Sequence, residues 1–210
     1  MKSKLLAVSA MVCLGLTGVA HADIIDFTDG GWSSGAERDI DGLGVTIVAS
    51  GGTLRQYPYD GGDKDDCDAY GLVCRSDGIG IRDDEVTFGD TERLVVSFSE
   101  SVDIVELIFL DLFAYSGSDP TPEFVGFTVY SSGDTGSYAG TASDDGIGFF
   151  AGTDEFGNVT SIEFYALDPS HSDFALAGIR TASVPEPGTL ALLGLGLVGL
   201  GFARRRSAAG

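Results

Sequence analysis

From Leu94 to Thr181, apolar segments of five to eleven residues alternate with clusters of Gly, Ser, Asp and Thr, and no stretch sustains the 3.6-residue period of an amphipathic helix. The segments are Leu94–Phe98, Val102–Leu112, Phe124–Tyr130, Ile147–Ala151, Val159–Leu167 and Phe174–Thr181. Val102–Leu112 carries apolar residues on both parities, so it reads either as a central strand covered on both faces or as a strand that bends between sheets. Ser99-Glu100-Ser101 reads as a hairpin connection between Leu94–Phe98 and that segment. Many short strands at turn-punctuated spacing predict an all-β fold, a β-sandwich of jelly-roll type.

A pentad recurs as Asp41-Gly42-Leu43-Gly44-Val45, Asp77-Gly78-Ile79-Gly80-Ile81 and Asp145-Gly146-Ile147-Gly148-Phe149. Its uneven spacing rules out a solenoid period. It reads as a turn entering a strand, in which Asp bonds its own backbone and Gly takes positive φ; the alternative is a set of calcium-holding aspartates.

The ends of the chain read differently from its interior. Lys2 and Lys4 precede an apolar run from Leu5 to Val19, and Ala20-His21-Ala22 is an A-x-A site whose cleavage leaves Asp23 as the first mature residue. Residues 1–22 are therefore expected to be a signal peptide. Cys13 is not read as a lipidation site, because the residues before it do not supply the usual small neighbour and the apolar run continues past it.

At the other end, Val184-Pro185-Glu186-Pro187 cannot continue a helix or a ladder. An uncharged stretch from Gly188 to Ala203 follows, and Arg204-Arg205-Arg206 closes it, as a positive cytoplasmic end closes a membrane span. The stretch is about 16 residues, or roughly 24 Å of helix against a hydrocarbon core of about 30 Å, which fits a shallow or temporary anchor. Proline motif, short apolar helix and basic terminus, in that order, closely resemble the PEP-CTERM sorting signal. The resemblance implies processing at or near the motif by an exosortase, a membrane-embedded transpeptidase-like enzyme. It covers residues 184–210, about the last tenth of the chain. Asp77 to Val86 followed by Leu94 to Phe98 also looks like a pattern of extracellular domains in such proteins, and that likeness carries no catalytic residues.

Residues 23–183 remain as one extracellular domain. With Lys2, Lys4, the three terminal arginines and Glu186 set aside, it holds seven Lys or Arg against thirty-one Asp or Glu, a formal charge of −24. Such acidity argues against nucleic-acid or anionic-membrane partners and is compatible with divalent cations or a hydrated polysaccharide matrix.

Cys67 and Cys74 are the two cysteines of this domain, and in an exported chain they are expected to form a local disulfide. Zinc fits poorly, since His171 is its one histidine. The run Asp60 to Asp68 is the best metal candidate: Asp63, Asp65, Asp66 and Asp68 could hold Ca²⁺ if the neighbouring glycines let backbone carbonyls turn inward. It lacks EF-hand spacing, and the plainer reading is a solvated, disulfide-clipped loop. Asn158-Val159-Thr160 matches a glycosylation sequon and is read as chance in a bacterial chain.

Catalysis finds little support. Pro169-Ser170-His171-Ser172-Asp173 offers a histidine without a nucleophile motif, and carboxylates are too numerous to single out a glycosidase pair. Trp32, Tyr57 and Tyr59, with Tyr70, lie in or beside loops and could stack on sugar faces, although buried packing is the commoner fate of such rings. The sequence thus predicts a non-enzymatic exported surface or matrix protein, with a sugar-binding module, calcium-supported or not, as the alternative.

Overall fold

The computed structural model describes residues 23–59, 64–89, 91–114, 121–141, 150–153, 155–168 and 171–182. Among them run strands β1 (Asp23–Asp26), β2 (Glu37–Ile40), β3 (Leu43–Ser50) and β4 (Leu54–Arg55), helix α1 (Lys64–Tyr70), then β5 (Gly80–Ile81) and β6 (Arg93–Leu110). The series continues with β7 (Phe124–Val129), β8 (Thr135–Ala139), β9 (Phe150–Gly152), β10 (Phe156–Ala166) and β11 (Ala175–Thr181). Every ladder between them is antiparallel. The fold is all-β.

The hairpin expected at Ser99-Glu100-Ser101 does not form; Leu94–Phe98 and Val102–Leu110 are one 18-residue strand, β6. A tight hairpin needs residues that take positive φ readily, and Ser-Glu-Ser supplies none. Instead the three residues ride exposed along the strand, and the Gly44 N–H donates to Ser99 Oγ at 2.9 Å.

β6 changes neighbours along its length. Its first half pairs with β3, from Ser50↔Arg93 to Val45↔Phe98, and on the other edge with β10, whose ladder runs from Phe164↔Leu94 through register shifts to Phe156↔Ile104. Its second half pairs with β11, from Thr181↔Ile104 to Ala175↔Leu110, and with β9, from Gly152↔Leu107 to Phe150↔Phe109. Register slips in β10 and β11 mark where the strand bends. The reading of Val102–Leu112 as a strand covered on both faces holds over Leu107–Leu110, whereas both halves of β6 belong to one sheet.

Burial follows the same division. Leu94, Val96, Phe98, Val102 and Ile104 point into one core on alternating positions, whereas Leu107, Ile108, Phe109 and Leu110 are all buried. Phe109 joins the main core, edge-on to Phe164 at 5.7 Å and to Phe174 at 5.5 Å. Ile108 and Leu110 face the other way, into a second cluster with Ala175, Ala177, Leu72 and the two cysteines.

Two local features explain how the strands are joined. Asp41 and Gly42 both have positive φ, 52° and 93°, and join β2 to β3 by a two-residue loop of the type that matches strand twist. In the second pentad Gly78 has φ 102°, and a Cβ there would stand 2.5 Å from the Leu176 carbonyl oxygen, so the backbone approach requires glycine. At these two copies the glycine takes positive φ and the pentad leads into a strand, as expected, but the Gly42 N–H donates to Asp39 Oδ1 rather than to Asp41; the third, residues 145–149, lies outside the described residues.

Candidate functional site

The two ends of the domain are neighbours. In the β1–β11 ladder Asp23 stands opposite Thr181, and Asp26 opposite Gly178. β1 is the outermost strand on this side of the sheet and pairs with β11 alone among the described residues. Ile25 and Phe27, at and just past its end, are buried in the main core, so hydrophobic burial holds β1 in place as well as backbone pairing. On its other side β11 is held by β6, and the Ala182 N–H donates to the Asp103 carbonyl at 2.7 Å. Thus the residue that A-x-A cleavage would expose lies one strand away from a residue three positions before Val184. The cleavage residues Ala20 and Ala22, the motif Val184 to Pro187 and the apolar stretch after it lie outside the described residues. Among the described residues, no helix is long and apolar enough to cross a membrane.

Cys67 and Cys74 are bonded to each other, as expected, and both are fully buried. The segment between them is not a plain loop. Residues 64–70 form α1, which ends in Gly71 at φ 76°, with the Gly71 N–H on the Asp68 carbonyl and the Leu72 N–H on the Cys67 carbonyl. These two bonds and the Cys67–Leu72 contact within the second cluster make a Schellman C-cap. Arg180 adds its guanidinium to the Tyr70 carbonyl at 2.8 Å while pairing with Glu106 at 2.7 Å. The disulfide, α1 and Leu72 thereby cover the outward face of β6 and β11.

The proposed ligand aromatics separate by environment. Trp32 is 7 % exposed, its ring edge-on to Phe27 at 4.9 Å and under the Arg38 guanidinium at 4.8 Å, and its indole N–H donates to the Asp26 carbonyl. Tyr59 packs against the disulfide cluster, as does Tyr70. Tyr57 is 47 % exposed, the one ring of this group presented to solvent.

Of the calcium candidates, Asp63 lies outside the described residues, and Asp65, Asp66 and Asp68 belong to α1, where Asp68 is exposed. Helical carbonyls point along the axis, so over 64–70 the backbone does not offer the inward-turned oxygens expected of an open loop. Among the described residues no three His, Cys, Asp or Glu side chains are grouped to hold a metal ion.

A carboxyl cluster arises elsewhere. The Asp173 carboxyl is hydrogen-bonded to those of Glu85 and Glu123. Glu123 is 2 % exposed, and its Oε2 accepts the Phe113 N–H at 2.7 Å. Burial, then the charges of Asp173 and Asp111, pushes the Glu85 carboxyl up to about 9. Burial, then Asp83, raises Asp173 to about 6, with His171 pulling against the shift. Backbone bonds clamp the segments that carry these acids: the Val86 N–H to the Phe174 carbonyl at 2.7 Å and the Phe88 N–H to the Ser172 carbonyl at 2.9 Å. Ser172 is buried with its Oγ accepting the Phe124 N–H, and His171 contacts Thr121, so this pair is engaged in loop packing. No local motif announces the cluster, because its members come from three distant segments.

Compared with known proteins, the chain matches the family model for the PEP-CTERM protein-sorting motif over residues 183–206. No curated protein and no solved structure matches it. The matched residues begin two positions past Thr181, the last residue of β11. Such a signal implies export and processing by an exosortase-type enzyme. The chain carries a PEP-CTERM protein-sorting motif at residues 183–206.

Proposed function

We propose that this is an exported, acidic surface or extracellular-matrix protein with a structural or interactive role in a hydrated polysaccharide layer, and that it acts without catalysis. In this reading residues 1–22 are removed as a signal peptide, 23–183 form the extracellular domain, and 184–210 are the sorting segment, with 188–203 as its temporary membrane helix. The observation that carries it is the sorting motif at residues 183–206, directly after a folded, disulfide-bonded β domain. The domain is a β-sandwich of jelly-roll type. This reading is supported by β10 returning between β6 and β7 and β11 between β1 and β6, the non-sequential pairings of Greek-key folds. A formal charge of −24 over residues 23–183 favours a solvated, cation-rich surrounding over an anionic partner.

Replacing Pro185, Glu186 and Pro187 with alanine tests the reading. Export should continue and processing should stop, so that unprocessed protein collects in the membrane fraction. Normal release of the variant would overturn it.

The exposed ring of Tyr57 favours a second reading, a sugar-binding module with or without calcium. Specific glycan binding by the mature protein that is lost in Tyr57→Ala would establish it.

A further inference from the structure

We propose that the outer face of strands β3, β6, β10, β7 and β8 binds an uncharged polysaccharide chain, with Tyr130 as the ring on which a sugar stacks and Arg93, Glu163 and Thr128 as the polar groups that orient it. The inference rests on the reading of this domain as one that works in a polysaccharide layer, and it lies away from Tyr57, which belongs to none of these strands.

Alternation along each strand separates the two faces. Ile47, Val96, Ile162 and Phe127 point into the main core. Beside them one row crosses all five strands on the opposite face: Val48↔Val95, Val95↔Glu163, Glu163↔Thr128 and Thr128↔Thr135. Val48, at one end of that row, is 46 % exposed. At the usual strand spacing of about 4.8 Å the row is about 19 Å wide, room for several sugar rings.

Two tyrosines flank this row. Tyr130, 53 % exposed, is tied at both ends: its N–H donates to the Ser161 carbonyl at 3.1 Å, and its hydroxyl is hydrogen-bonded to the Glu163 carboxylate. A ring so held offers apolar area to solvent while keeping little freedom for binding to remove. Tyr165 lies against Gly126, its cross-strand partner. A Cβ at Gly126 would stand 2.5 Å from Tyr165 Cε2, so the ring fills the place of the absent side chain. The Arg93 guanidinium lies over that ring, 4.8 Å from its centroid. Guanidinium donors, a carboxylate acceptor and the Thr128 hydroxyl thus share one face with the exposed ring, a mix suited to orienting the hydroxyl groups of a sugar.

Charge selects the occupant. At the outward positions of residues 46–50, 93–97, 161–165, 126–128 and 135–137, Arg93 and Glu163 are the only charged side chains, so this face is neutral on a domain of formal charge −24. The surrounding acids repel an acidic chain and draw a basic one to themselves, whereas an uncharged chain matches the neutral face. A protein partner fits less well, because Glu163 and Thr128 hold the centre where an interface core places large apolar or aromatic residues.

The test uses mature protein from its own host. The probe is that host's exopolysaccharide, separated into uncharged and acidic fractions, and the readout is retention in affinity electrophoresis. The uncharged fraction should retain wild type. Tyr130→Ala should weaken retention about tenfold, Tyr130→Phe should fall between the two, and Tyr57→Ala should bind as wild type does. Glu163→Gln should weaken retention several-fold. Thermal midpoints near that of wild type check that each variant is folded; if Tyr130→Ala does not fold, Tyr130→Phe and Glu163→Gln decide. Retention by the acidic fraction alone, or retention that the folded Tyr130 and Glu163 variants leave intact, would overturn the proposal while the polysaccharide reading stands. Folded wild type that neither fraction retains would sink that reading as well.

Discussion

The carboxyl of Asp173 is hydrogen-bonded to that of Glu85, an arrangement two carboxyl groups can hold only while they keep a proton between them. Glu85 is raised from 4.5 to about 9 and Asp173 from 3.8 to about 6, burial being the first cause of each. The folded state therefore binds these protons more tightly than the unfolded chain. Their stabilisation is complete below about pH 4, declines as the pH rises from there, and is gone above about pH 9. Thermal midpoints of the mature domain should fall steadily between pH 5 and pH 9. Glu85→Gln should flatten that slope, which separates the pair from the general repulsion of an acidic surface. An unchanged slope in the variant would refute the shared-proton account.

Breaking the disulfide should loosen a cover and leave the sheets standing. Closing so short a loop contributes on the order of 2 kcal/mol. Cys67→Ser should cost about that much, with faster amide exchange confined to residues 64–76. Two free thiols in unreduced mature protein would contradict the bridge.

Phe109 and Tyr57 make a contrasting pair. Phe109 packs against two other rings in the main core, so Phe109→Ala should cost about 3–5 kcal/mol. Tyr57→Ala, at an exposed position, should stay within about 0.5 kcal/mol. Urea titration of both measures the difference, and equal losses would mean the core is elsewhere.

Calcium and magnesium should raise the melting temperature to a similar extent if screening of the acidic surface is the whole effect. A specific site involving Asp63, Asp65, Asp66 and Asp68 requires a larger shift with calcium, because magnesium demands tighter octahedral geometry. That excess should vanish in Asp65→Asn with Asp66→Asn. The shared carbonyl direction of α1 favours the screening outcome.

The strands were legible because apolar runs and turn residues alternate: Phe124–Tyr130, Val159–Leu167 and Phe174–Thr181 match β7, β10 and β11 within a few residues. Cys67–Cys74 followed from spacing and compartment. β6 was misjudged at Ser99 because three polar residues in a row imitate a loop, whereas a long bent strand carries them on its solvent side. α1 was missed because seven residues are too few for helical periodicity; its one signal is Gly71, placed where a helix reverses. Trp32 could not be assigned from sequence, since its burial depends on Phe27 and Arg38 arriving from two other segments. The Glu85–Asp173–Glu123 cluster was invisible for the same reason.

The intact mass of wild-type protein recovered from the surface or medium of its own host tests the central claim most directly. The account predicts a chain that begins at Asp23 and lacks Arg204 to Gly210. A mass that still includes those seven residues would contradict it.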